Sequence, residues 1–116
     1  MQEPSLSSRI FAVGTHVRYV AIADGQHVHM QARPGLVDAS SSETDRFEEL
    51  LVNPVLLLLA RQRGDIDCGG LNYVIVRYGH FFQVVVPNPD GGHISVAVEA
   101  GQDPVAVADE VRALLA

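Results

Sequence analysis

Apolar positions in this chain repeat with two different periods, and the change of period marks out its elements. From Ser41 to Gly64 (SSETDRFEELLVNPVLLLLARQRG) the period is helical: Phe47, Leu50, Leu51, Pro54, Val55, Leu58 and Leu59 fall at i, i+3, i+4, i+7, i+8, i+11 and i+12. That stripe is expected to pack one side of a helix on a sheet. Beyond Pro54, Val55 to Ala60 is apolar all the way round, so Leu56 and Leu57 call for a second cover, from the same chain or from another subunit. Ser42 with Asp45 reads as a capping box, Glu43, Asp45, Glu48 and Glu49 put negative charge at the start, and Arg61 and Arg63 stand at the end. Pro54 has no N–H to donate, which predicts two helical segments in nearly one line. Gly64 is expected to stop the second.

On either side the period shortens to two. His16–Ala23 and His27–Ala32, joined at Asp24-Gly25, predict a hairpin whose second strand turns Val28, Met30 and Ala32 one way and His27, His29 and Gln31 the other. Leu71–Tyr78 and Phe81–Val86 predict a second hairpin across Gly79-His80. His93–Glu99 returns after the loop Pro87–Gly92, with Ile94, Val96 and Val98 on one face. Ser7–Val13 reads as a short helix capped by Ser7 or Ser8. Asp103 and Pro104 open a C-terminal helix with a stripe of Val107, Val111, Leu114 and Leu115. Met1–Pro4 is expected to be a disordered lead, extending at most to residue 5. The order is that of one α+β domain over 1–116, a five-stranded antiparallel sheet with helices packed on it.

Composition narrows the partners. With 116 residues and a formal net charge of -6, the chain lacks the basic face that nucleic acid or an anionic membrane requires. Its apolar run is far shorter than the roughly 20 residues of a membrane span. All eight basic residues are Arg, which excludes lysine chemistry such as a Schiff base or a P-loop and points to a GC-rich bacterial genome. A lone Cys68 and the lack of a signal-peptide pattern lead to the expectation of a cytoplasmic protein.

HVRYVAIADGQHVHM before a long helix, then LNYVIVRYGHFFQVVVPNPDGGHISVAVEAG before a last helix, resembles the roadblock/dynein light chain domain over roughly residues 6–116. The resemblance rests on the Asp24-Gly25 hairpin, the central helix, the Tyr78-Gly79-His80 turn and the hydrophobic fifth strand. It implies a profilin-like sheet ordered 2-1-5-4-3 with the third strand at an edge. It also implies dimers, homo- or heteromeric, that pair this edge and lay two central helices side by side. The implied role is non-enzymatic: a scaffold, or a platform for small Ras-like GTPases. On that reading the interface residues are Leu56, Leu57 and Ala60 of the helix and Asn72, Val74 and Val76 of the edge strand, with no cofactor. The alternative is a small-molecule sensor of PAS or GAF type, with a pocket between sheet and central helix.

No catalytic signature emerges. His27 and His29 share one side of a strand and, with His16 or His93, offer metal-ligating chemistry, yet no Cys or carboxylate stands at a matching spacing, so a surface role is expected. Asp65–Gly70 begins like a calcium loop but meets Val76 where the bidentate Glu belongs. Cys68 has no local base. Glu48 and Glu49, adjacent on a helix, diverge by about 100° and cannot share a proton-transfer task.

Overall fold

The structure, a computed structural model, describes residues 5–25 and 27–116, so the expected lead over Met1–Pro4 lies outside the described residues. Its elements are α1 (Leu6–Phe11), β1 (Val17–Ala23), β2 (Val28–Ala32), α2 (Ser42–Phe47), a π-helical turn (Glu48–Val52), α3 (Asn53–Asp67), β3 (Val74–Arg77), β4 (Phe81–Pro87), β5 (His93–Glu99) and α4 (Pro104–Leu115). The five strands form one antiparallel sheet in the order β2-β1-β5-β4-β3.

The two faces of the sheet differ in chemistry, and this decides where each helix goes. Register sets Val20, Val96 and Val84 in one row and Ile22, Ile94 and Val86 in the next. This face is apolar throughout, and Ile10 of α1 with Val107, Ala108 and Val111 of α4 closes over it as the main core. The opposite face carries Tyr19, Ala97 and Gln83 in one row, Ala21, Ser95 and Val85 in another, and Ala23, His93 and Pro87 at the end. Small and polar side chains predominate there, and the central helix α2–π–α3 lies on them. An irregularity between Val17 and Tyr19 leaves Arg18 without a partner in the β1–β5 register. Its guanidinium donates to Glu99 Oε1 at 3.1 Å and to the carbonyl of Val37 at 2.8 Å, tying the long loop before α2 to the sheet.

Several sequence-based boundaries shift for local reasons. The cap of α2 is Ser41 rather than Ser42: its hydroxyl accepts from the Thr44 N–H at 3.2 Å. Ser5, not Ser7 or Ser8, caps α1. Pro54 interrupts the central helix less than a break would, because the turn ahead of it widens until the Asn53 N–H reaches the Glu48 carbonyl. Nor does Gly64 end the helix, which runs on to Asp67; the Gly64 carbonyl accepts from Cys68 and Gly70 at 3.1 and 3.0 Å. Gly70 is thereby held against the helix end, and β3 starts only at Val74 instead of Leu71. The C-terminal helix begins as read, with Asp103 Oδ1 accepting from Val105 and Ala106.

Candidate interaction surface

Glu49, Asn53, Leu57 and Gly64 are the buried residues of the central helix, spaced to face the sheet. The stripe expected there instead faces away: Phe47, Leu50, Leu51, Val55, Leu58 and Leu59 are each more than half exposed, and Ile66 continues the row. The stripe is real and its direction is inverted. Polar atoms on the sheet select the polar side of the helix. Leu57, expected to need a second cover from the same chain or another subunit, is 5% exposed and is covered within the chain, while Leu56 and Ala60 are half-buried on the flank.

Beneath the helix lies a connected polar layer. Tyr19 donates its hydroxyl to Glu49 Oε2 at 2.8 Å; Asn53 Nδ2 donates to Glu49 Oε1 at 2.8 Å; His93 Nε2 lies 2.9 Å from the same oxygen. Ser95 Oγ accepts from Asn53 Nδ2 at 3.2 Å and also from Gln83. Glu49 and His93 are both buried, so the Glu49 carboxyl group exchanges its water for three protein partners. Burial, reinforced by Glu49, pushes the Tyr19 phenol far above its ordinary value and keeps it neutral as a donor. At the rim, Tyr78 donates to both oxygens of Glu48 at 3.1 Å. Burial raises the Glu48 carboxyl above the usual carboxylate range, and burial with the Glu48 charge pushes Tyr78 up to about 12.

The second part of the surface is β3, one of the two outer strands of the sheet. Val74 and Val76 are half-buried and pair in register with Val85 and Gln83, which places them on the same face as the central helix; Asn72, just ahead of the strand, is exposed. An exposed apolar helix and an unpaired strand edge therefore occur on one molecule, a combination that soluble monomers ordinarily avoid.

The histidines do not converge. His93 is buried against Glu49, His27 is exposed at the first hairpin, and among the described residues no three His, Cys, Asp or Glu side chains are grouped to hold a metal. Where a sensor pocket was expected, the polar layer occupies the space under the helix. Beside it an open groove of about 450 Å³ lies between the helix, at Glu49, Leu50, Pro54, Leu57 and Leu58, and the sheet, at Val28 and His93. Cys68 is exposed, with Asp67 as its hydrogen-bond partner. No helix among the described residues is long and apolar enough to cross a membrane.

Sheet order, a long helix between β2 and β3, and a C-terminal helix on the opposite face define a roadblock-like fold. Among solved structures, the chain is similar to a Roadblock/LC7 domain from Streptomyces avermitilis, with a TM-score of 0.71 at 17% identity over 95% of this chain and 88% of that one. It is also similar to MglC from Myxococcus xanthus, with a TM-score of 0.53 at 14% identity over 97% of this chain and all of that one. No protein-family model matches the sequence, and no curated protein matches it. At these identities the likeness is one of fold.

Proposed function

We propose that this chain is a non-enzymatic protein-interaction module that works as a homodimer in the cytoplasm, the pair acting as a platform for a small Ras-like GTPase. The observation that carries the reading is the outward stripe of Phe47, Leu50, Leu51, Val55, Leu58 and Leu59, apolar surface on a helix whose other side is already satisfied. A second copy is the occupant that also completes the β3 edge, since a two-fold axis beside that strand pairs it with itself and brings the helices together. In this interface Leu56 and Ala60 flank the stripe, Asn72, Val74 and Val76 line the strand, and Leu57 supports the helix from beneath. The GTPase half of the proposal rests on the roadblock resemblance.

Mass by light scattering over a dilution series tests the dimer. A twofold mass that persists into the nanomolar range is expected, and a monomer at high micromolar protein overturns it. Calorimetric titration with Ras-like GTPases from the same genome, loaded with GDP or a GTP analogue, tests the second half. Nucleotide-dependent binding of one of them is expected, and its absence across the set removes that part.

A further inference from the structure

A cavity of about 570 Å³ lies away from the polar layer, at the end of the sheet beside the Pro87–Gly92 loop. One arginine from each helical layer borders it: Arg61 of α3, on one side of the sheet, and Arg112 of α4, on the other. The surrounding wall is apolar at Leu71, Val86, Pro87 and Leu115 and carries no Asp or Glu side chain. Asn72, Asn88 and Ala116 also border it, so in a chain of net charge -6 the charged side chains at this cavity are both basic.

Four of the other arginines are committed elsewhere. Arg18 binds Glu99, Arg33 binds the carbonyls of Val17, Phe11 and Gly14, Arg63 pairs with Asp67, and Arg77 binds the carbonyls of Tyr78 and Gly79. The Arg61 and Arg112 side chains make neither an ion pair nor a hydrogen bond among the described residues. A cleft of this size, mostly apolar with a few charged donors of one sign, is built like a site for a small molecule. Guanidinium groups fork onto carboxylate and phosphate oxygens, and the apolar wall takes whatever carries them.

We propose that the groove between Arg61 and Arg112 binds a small organic anion, a carboxylate or phosphate monoester on a flat apolar body. The two arginines hold the anionic oxygens, and Leu71, Pro87 and Leu115 hold the body. The groove adjoins the proposed interface at Asn72, which borders both, but none of the outward stripe residues lines it, so solution mass and anion titration test the two readings separately.

Amide shifts in two-dimensional NMR, with phenyl phosphate, benzoate, inorganic phosphate and uncharged phenol as separate probes, test this. Phenyl phosphate or benzoate is expected to give saturable shifts at Leu71, Asn88–Gly92 and Arg112–Leu115. The charged oxygens are needed, so phenol is expected to give none there, and inorganic phosphate, lacking the body, weaker ones. The double variant Arg61→Gln/Arg112→Gln is expected to lose about ten-fold or more in affinity for the better organic anion, with an unchanged melting temperature. Shifts equal for phenol, an unaltered affinity in the double variant, or no saturation at millimolar probe overturns the proposal.

Discussion

Glu49 Oε1 lies 2.9 Å from His93 Nε2 and 2.8 Å from Asn53 Nδ2, with all three side chains buried. A carboxylate in that position holds the central helix to the sheet only while its donors remain. Glu49→Ala takes the partner from the Tyr19 hydroxyl and the His93 ring and leaves the Asn53 amide with Ser95 alone, and removing one member of such a buried group costs about 3–5 kcal/mol. Denaturant unfolding is expected to show that loss, with Glu49→Gln less damaging because it keeps the shape and one acceptor. A Glu49→Ala protein as stable as the parent contradicts a structural role for the layer.

The exposed stripe and the buried Leu57 separate association from stability. Leu51 is 55% exposed, so Leu51→Glu is expected to leave the unfolding free energy of the monomer within about 0.5 kcal/mol. In the proposed dimer it places a charge from each copy in apolar surroundings, and dissociation is expected to strengthen by about 2 kcal/mol, roughly thirty-fold. Leu57→Ala does the reverse, costing about 2–5 kcal/mol of stability through the cavity beneath the helix. Sedimentation and thermal melting of both variants check the pair; the opposite assignment of effects places the interface elsewhere.

Glu48 supplies a pH test whose sign is fixed by its surroundings. Burial raises its folded-state pKa, so the protonated acid fits the fold better than the carboxylate. That favourable contribution is complete below the unfolded carboxylate range and is lost as pH rises through the raised value. Glu48→Gln keeps an acceptor for Tyr78 and removes the charge, so its benefit is expected to be absent in acid and to grow toward neutrality. Partial exposure limits the gain to below about 1 kcal/mol at neutral pH. Tyr78, raised from 10.0 to about 12, contributes in the alkaline range: its share is whole below 10.0 and lost as pH rises through about 12. Melting temperatures across both ranges check the signs, and a Gln variant destabilised at neutral pH reverses the Glu48 assignment.

Strand and helix positions were legible because alternation and turn residues survive in the sequence, and Ile94, Val96 and Val98 announce an apolar sheet face without reference to anything else, whereas the strand order came only from the roadblock resemblance. The orientation of the central helix was not legible. Apolar periodicity locates a stripe but does not say whether sheet or solvent lies against it. Here the deciding signal sits on other strands, in Tyr19, Gln83, His93 and Ser95, which share one sheet face. Paired with Glu49, Asn53, Leu57, Ala60 and Gly64, spaced at i, i+4, i+8, i+11 and i+15, they mark the polar and small side of the helix as the inner one. Leu56 and Leu57 looked alike in the sequence because both lie in an unbroken apolar run, where neighbours about 100° apart carry the same residue type and only the packed surface tells them apart.

Gly64 offers the test that most directly separates helix propensity from packing. In an exposed helix interior, Gly→Ala is worth up to about 1 kcal/mol of added stability, because alanine loses less backbone freedom on folding. Gly64 is buried within α3, and a Cβ there would meet the Gly70 carbonyl oxygen at 2.8 Å. The neighbour is backbone, held by the Gly70 N–H to Gly64 carbonyl bond at 3.0 Å, so it cannot turn aside as a flexible side chain would. Gly64→Ala is therefore expected to lower the melting temperature and to loosen the connection into β3. Hydrogen exchange is expected to quicken at Cys68 and Gly70, whose amides both bond to the Gly64 carbonyl. A more stable Gly64→Ala protein with unchanged protection at those amides shows instead that the glycine was kept for neither close approach nor strand placement.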